Sequence, residues 1–150
     1  MINIFVYGLD QFVVGEVSRE ITPIVAKAFE VEEDEVNFVA PNDMVFHNGV
    51  EQTSWRVIVE VRLPEEFDIV ENEAKSVLLH YISQYAVHVE VTFNYYPRKH
   101  HYVKINKEYP LYLEEHEKEY NEDDVESDEL PSEGEGEDEI YTEDIFKGVF

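Results

Sequence analysis

Cysteine is absent from this sequence, which excludes disulfides, thiolate metal sites and cysteine nucleophiles. Basic residues are scarce: 11 Lys and Arg stand against 35 Asp and Glu, for a net charge of −24. Such a surface repels phosphate backbones, so nucleic-acid binding by the whole molecule is not expected. No apolar run approaches the roughly 20 residues that a membrane helix requires, so no membrane partner is expected. The opening stretch Met1–Tyr7 has neither a basic segment nor a small-residue cleavage site, and a soluble cytoplasmic protein is the expectation. GxSxG, HExxH, P-loop and GxGxxG patterns are all missing, which leaves hydrolase, zincin and nucleotide-binding readings without support.

What is present suffices for one core: 150 residues, 43% of them hydrophobic and 13% aromatic. The charge is unevenly spread. Residues 1–113 hold 18 acids and 9 bases, whereas 114–150 hold 17 acids and 2 bases. This division predicts a globular domain over 1–113 and an acidic tail over 114–150. The tail has too little apolar surface from 114 to 139 to offset its chain entropy, so that part is expected to be disordered. Its last eleven residues turn apolar again, and Ile145, Phe146 and Phe150 form a candidate tip for anchoring a protein partner.

Hydrophobic periodicity gives the elements in order. Ile2–Tyr7 reads as a strand, apolar on both faces and therefore central in its sheet. Asp10 suits the N-cap of a helix over Gln11–Phe29, with Val13, Val17, Ile21, Ile24 and Ala28 as its stripe, seconded by Val14 and Val25. Pro23 inside that run predicts a kink near Arg19–Thr22, with two shorter helices as the alternative. Glu30–Glu35 reads as an acidic loop and Val36–Val39 as a short strand. Asn48-Gly49 between two apolar stretches predicts a hairpin with a type I′ turn.

A strand follows, with Trp55, Val57, Val59, Val61 and Leu63 on one face, ended by Pro64. Phe67, Val70, Ala74, Val77 and Tyr81 form the stripe of a second helix over Glu65–Gln84, and Val87–Asn94 is the last strand. The order β-α-β-β-α-β predicts an α+β domain: one four-stranded mixed sheet with two helices on one face. Phe5, Tyr7, Ile58 and Phe38 are expected on the other face, where burial in an oligomer would relieve their exposure.

Candidate functional residues are few. Tyr95, Tyr96, Arg98, Lys99, His100, Tyr102, Lys104 and Lys107 make one aromatic–basic stretch without an acid. Of these, Arg98, Lys99, His100, Tyr102, Lys104 and Lys107 are the candidate ligand- or anion-binding residues. The stretch also fits stacking against a single nucleic-acid strand, or a solvated edge hairpin. His100, His101 and His88 follow no standard ligand spacing, so no metal is expected, nor any cofactor. His80, beside the second helical stripe, is expected to be partly buried, and His47 exposed at the hairpin.

The strand running straight into a long helix, the Asn48-Gly49 hairpin and a second half ending near Tyr102–Asn106 resemble a small family of uncharacterised bacterial proteins. That family is grouped with the tautomerase superfamily, which includes 4-oxalocrotonate tautomerase and macrophage migration inhibitory factor (MIF). The resemblance spans about residues 1–110. It implies a homotrimer with sites at the start of the first strand, where an N-terminal proline amine serves as the base. Residue 2 here is Ile. No catalytic residue is carried over, and the catalytic residues remain unknown. Three readings follow: a tautomerase-fold binding or structural module without the proline, a divergent isomerase using another base, and a tail-mediated interaction or nucleic-acid-mimic protein.

Overall fold

A computed structural model describes residues 1–114 of the chain. The expected disorder of the tail and the tip residues Ile145, Phe146 and Phe150 lie outside the described residues. The chain divides into two units, Met1–Lys104 and Ile105–Phe150. In the second, the described residues make an Asx-type turn, with the Asn106 side chain accepting from the Glu108 N–H at 3.0 Å.

The first unit holds strands β1 (Ile2–Tyr7), β2 (Val36–Val39), β3 (Phe46–His47), β4 (Val50–Glu51), β5 (Arg56–Pro64) and β6 (His88–Tyr96), with helices α1 (Gln11–Phe29) and α2 (Glu71–Ile82). Four strands form a mixed sheet in the order β2-β1-β5-β6, and β3 and β4 form a separate hairpin. The β1–β2 and β5–β6 pairs are parallel, and the central β1–β5 pair is antiparallel. Strand β1 is thus interior, as its two apolar faces predict.

The core lies between the sheet and the two helices. Ile2, Ile4 and Val6 of β1 meet Val57, Val59, Val61 and Leu63 of β5 there, together with Val17, Ile21 and Phe29 of α1 and Leu78 and Ile82 of α2. Each such side chain contributes about 1.5–3 kcal/mol when fully buried. Asp10 caps α1, its Oδ1 accepting from the Phe12 N–H at 2.8 Å. The helix runs through Pro23 as a single element, which excludes the two-helix alternative. Its buried stripe is centred on Val14, Val17, Ile21, Val25 and Ala28, leaving Val13 and Ile24 half-buried. At the far end Glu30 takes a left-handed conformation (φ 61°) and Val31 donates to the Ala26 carbonyl at 2.9 Å, closing the helix.

Several expectations are corrected. Glu33–Glu35 is a 3-10 turn rather than a loop. The second helix starts at Glu71, because Glu65–Val70 winds as 3-10. Three residues per turn bring Phe67 and Val70 to the same side, where both pack on the core. Trp55 does not join the buried face of β5: it precedes the strand, is 55% exposed, and meets His88 edge-on. Phe38 pairs with Ile4 in register and packs on the helix side, so the second sheet face carries Val39 in its place. His80 is exposed, its ring edge-on to Tyr81. Strand β6 continues to Tyr96, which removes Tyr95 and Tyr96 from the solvated stretch; among the described residues it is followed by a 3-10 turn at Arg98–His100 and by no edge hairpin.

Two glycines adopt positive φ for different reasons. At Gly8 (φ +95°) an added Cβ would stand 2.7 Å from the Arg56 carbonyl oxygen, whereas at Gly49 (φ +81°) it would meet nothing within 4 Å. Gly49→Ala is therefore expected to lower stability by about 1 kcal/mol, the left-handed cost alone. Gly8→Ala adds a backbone clash and is expected to cost at least about 2 kcal/mol. Urea midpoints of the two variants check the order; equal losses would show that the β1–β5 contact yields freely.

Candidate functional site

The topology gathers one end of the sheet around Met1. Parallel pairing sets Ile2 against Val36, so the 3-10 turn before β2 places Glu35 beside the start of β1. The β5–β6 register sets Pro64 against Tyr96, and 3-10 turns after both strands supply Glu66 and Arg98. The Met1 amino nitrogen lies 4.0 Å from Glu35 Oε1. The Tyr96 hydroxyl donates to the Met1 carbonyl at 3.1 Å, and its ring stacks on His101 with centroids 5.1 Å apart. Asn37 donates to Asn3 Oδ1 at 3.1 Å on the same end of β1.

Arg98 donates from Nε and Nη2 to Glu66 Oε2, at 2.8 and 2.7 Å. That hydrogen bond holds the Glu66 carboxyl below the usual carboxylate range and raises the guanidinium further. Burial, more than any neighbouring charge, pushes the Tyr96 phenol up. Burial and then the bond it donates to Glu71 push Tyr95 up much further. These phenols are thus neutral donors that fix strand ends, with Tyr95 tying β6 to the first turn of α2.

The remaining candidates are spread out. Lys99 and His100 are exposed on the turn that carries Arg98, and Tyr102 is 85% exposed. Lys104 ends the first unit and Lys107 belongs to the second. Within the basic stretch Arg98 forms a side-chain ion pair with Glu66. Sequence reasoning missed Glu35, Glu66 and the Tyr96–Met1 bond. Their signal was strand pairing, since each residue precedes, ends or follows a strand that registers against β1 or β5.

A concavity lies at the opposite end of the sheet. It encloses about 440 Å³ between the β3–β4 hairpin and the outer sheet face, lined among others by Phe46, His47, Trp55, Arg56, Ile58 and His88. Arg56 is paired with Glu90 at its rim. Between the two ends the outer face carries Phe5 under the Arg62 guanidinium at 4.2 Å, with Arg62 and Asn94 both bonded to Glu60.

No protein-family model matches the sequence, and no curated protein does. Solved structures do. A domain of unknown function (DUF1904) from Sebaldella termitidis aligns with a TM-score of 0.61 at 17% identity, over 69% of this chain and 95% of that one. The MIF-like protein of Entamoeba histolytica aligns at 0.51 and 8% identity, over 64% and 89%. A fused 4-OT solved as an asymmetric trimer aligns at 0.53 and 13% identity, over 65% and 88%.

The Glu66–Arg98 pair makes a testable claim about pH. A carboxyl whose folded-state pKa lies below its unfolded value stabilises the fold above the unfolded pKa, and that contribution is lost as pH falls through the folded pKa. By carboxyl NMR Glu66 is expected to titrate below the usual glutamate range, and Arg98→Met to move it up. A Glu66 titration indifferent to Arg98→Met would remove the pair from the account. Together the sheet order, the two helices on one face and these alignments show that the chain carries the tautomerase/MIF-like fold.

Proposed function

We propose that this chain is a homo-oligomeric binding or structural module on the tautomerase fold, without proline-amine chemistry. The carrying observation is the start of β1. Ile2 is fully buried there, and the first proline of the sequence is Pro23, in the middle of α1. Residues 1–22 contain no proline to supply a secondary amine at the mouth of β1. Of the carboxylates nearby, Glu66 is held by Arg98 at 2.7 Å, while Glu35 lies 4.0 Å from the Met1 nitrogen.

The outer sheet face supports the oligomer. Phe5, Tyr7, Val39 and Ile58 are only half-buried on it, and an apolar sheet face left open to water is costly. The number three is carried over from the fused 4-OT trimer of the same fold. Light scattering at micromolar concentration is expected to return three times the 17.7 kDa chain mass; a monomer mass would end the oligomer reading.

On activity, keto–enol turnover of phenylpyruvate is expected at the buffer background. Robust turnover that disappears when the terminal amine is blocked would overturn the non-catalytic reading, and would favour a divergent isomerase using Met1.

A further inference from the structure

We propose that Asn48 is a self-modifying site, its side chain closing on the Gly49 nitrogen to a succinimide that opens to aspartate and isoaspartate, with His47 as the proton donor. Three observations single it out among the asparagines.

The first is the following residue. Ring closure brings the next backbone nitrogen onto the side-chain carbonyl carbon, and a side chain on that next residue obstructs the approach. Of the eight asparagines, Asn48 alone precedes a glycine. A Cβ added at Gly49 would meet nothing within 4 Å, so the space beside its nitrogen is open. The second is access: both residues are exposed at the hairpin turn, and among the described residues the Gly49 N–H donates to no protein group. The third is His47, whose Nε2 lies 3.4 Å from Asn48 Nδ2, the atom that has to leave. Asn42 shares the left-handed conformation (φ 61°) but precedes Asp43, while Asn37 and Asn94 are held by Asn3 and Glu60.

The atoms balance with water as the only co-reactant. The Gly49 nitrogen loses its proton to solvent and bonds to Asn48 Cγ. The Cγ–Nδ2 bond breaks, the imidazolium form of His47 protonates the departing nitrogen, and ammonia leaves; solvent returns the proton to the ring. Water then opens the imide at one of its two carbonyls. Opening at Cγ gives aspartate. Opening at the backbone carbonyl routes the chain through the side chain and adds a methylene to the turn.

The hairpin is sensitive to that change. Its ladder is two pairs long, Phe46 with Glu51 and His47 with Val50. A two-residue turn fixes this register, so an isoaspartate there displaces Phe46 and His47 from the wall of the concavity they line. Either product also sets a carboxylate beside His47.

The test follows position 48 in the full chain at neutral pH, folded and in urea, by peptide mass and by enzymatic methylation of isoaspartate. Conversion at Asn48 is expected to outrun that at Asn42 and Asn106, and to be at least as fast in the folded chain as in urea. Gly49→Ala, its folding checked by circular dichroism, is expected to lose the reaction. His47→Gln is expected to slow it about tenfold, less than a fully positioned acid supplies. Imidazole in the buffer is expected to restore part of that variant's rate while adding little to the wild type's. Conversion at Asn48 no faster than at Asn42, or slower in the folded chain than in urea, overturns the proposal. So does a His47→Gln rate equal to that of the wild type.

Discussion

The antiparallel pairing of β1 with β5 is the contact on which the rest of the structure depends. It sets Ile4 opposite Val61 and Val6 opposite Val59, so both strands present fully buried aliphatic residues to the same two helices. Each strand then recruits a parallel neighbour on its outer side, which makes the sheet a pair of strand–helix–strand halves. The same register decides what gathers at each end. Starts of β1 and β2 meet the ends of β5 and β6 around Met1, and the hairpin hangs over the other end.

The inner and outer faces of this sheet follow different physics. The inner face is aliphatic and closed by helices. The outer face alternates apolar and charged residues that satisfy one another: Arg62 covers Phe5 and bonds Glu60, Asn94 bonds Glu60, and Arg56 bonds Glu90. Exposed ion pairs of this kind add little stability, commonly 0–1 kcal/mol each. Their effect would be on fit: under the proposed oligomer, a second copy has to match this pattern of charges as well as cover Tyr7, Val39 and Ile58.

Much of this was legible in the sequence because period-two and helical spacing report burial directly. Ile2–Tyr7, Val36–Val39, the Asn48-Gly49 turn and the Asp10 cap all fall where the residues predict, Asn48 and Gly49 both taking positive φ. Misplaced residues share a cause. Alternation tells which residues share a face but not where pairing begins, so the pattern includes Trp55 although the ladder starts one residue later, at Arg56. Phe38 follows Val36 onto the helix side once Ile2 registers against Val36. The 3-10 start at Glu65–Val70 reflects the core's demand for Phe67 and Val70 together, a tertiary effect. Glu35, Glu66 and Arg98 converge only through strand register, which no local pattern carries.

Solvent access to the outer sheet face tests the central claim most directly. Hydroxyl-radical footprinting of the full chain compares Phe5, Tyr7 and Ile58 on that face with Phe12 and Ile69, which are 75% and 86% exposed elsewhere. If copies of the chain cover the face, Phe5, Tyr7 and Ile58 are protected at micromolar concentration and lose protection on dilution, while Phe12 and Ile69 react throughout. Oxidation of Phe5 and Tyr7 at the rate of a free half-exposed surface, unchanged by concentration, would contradict the account.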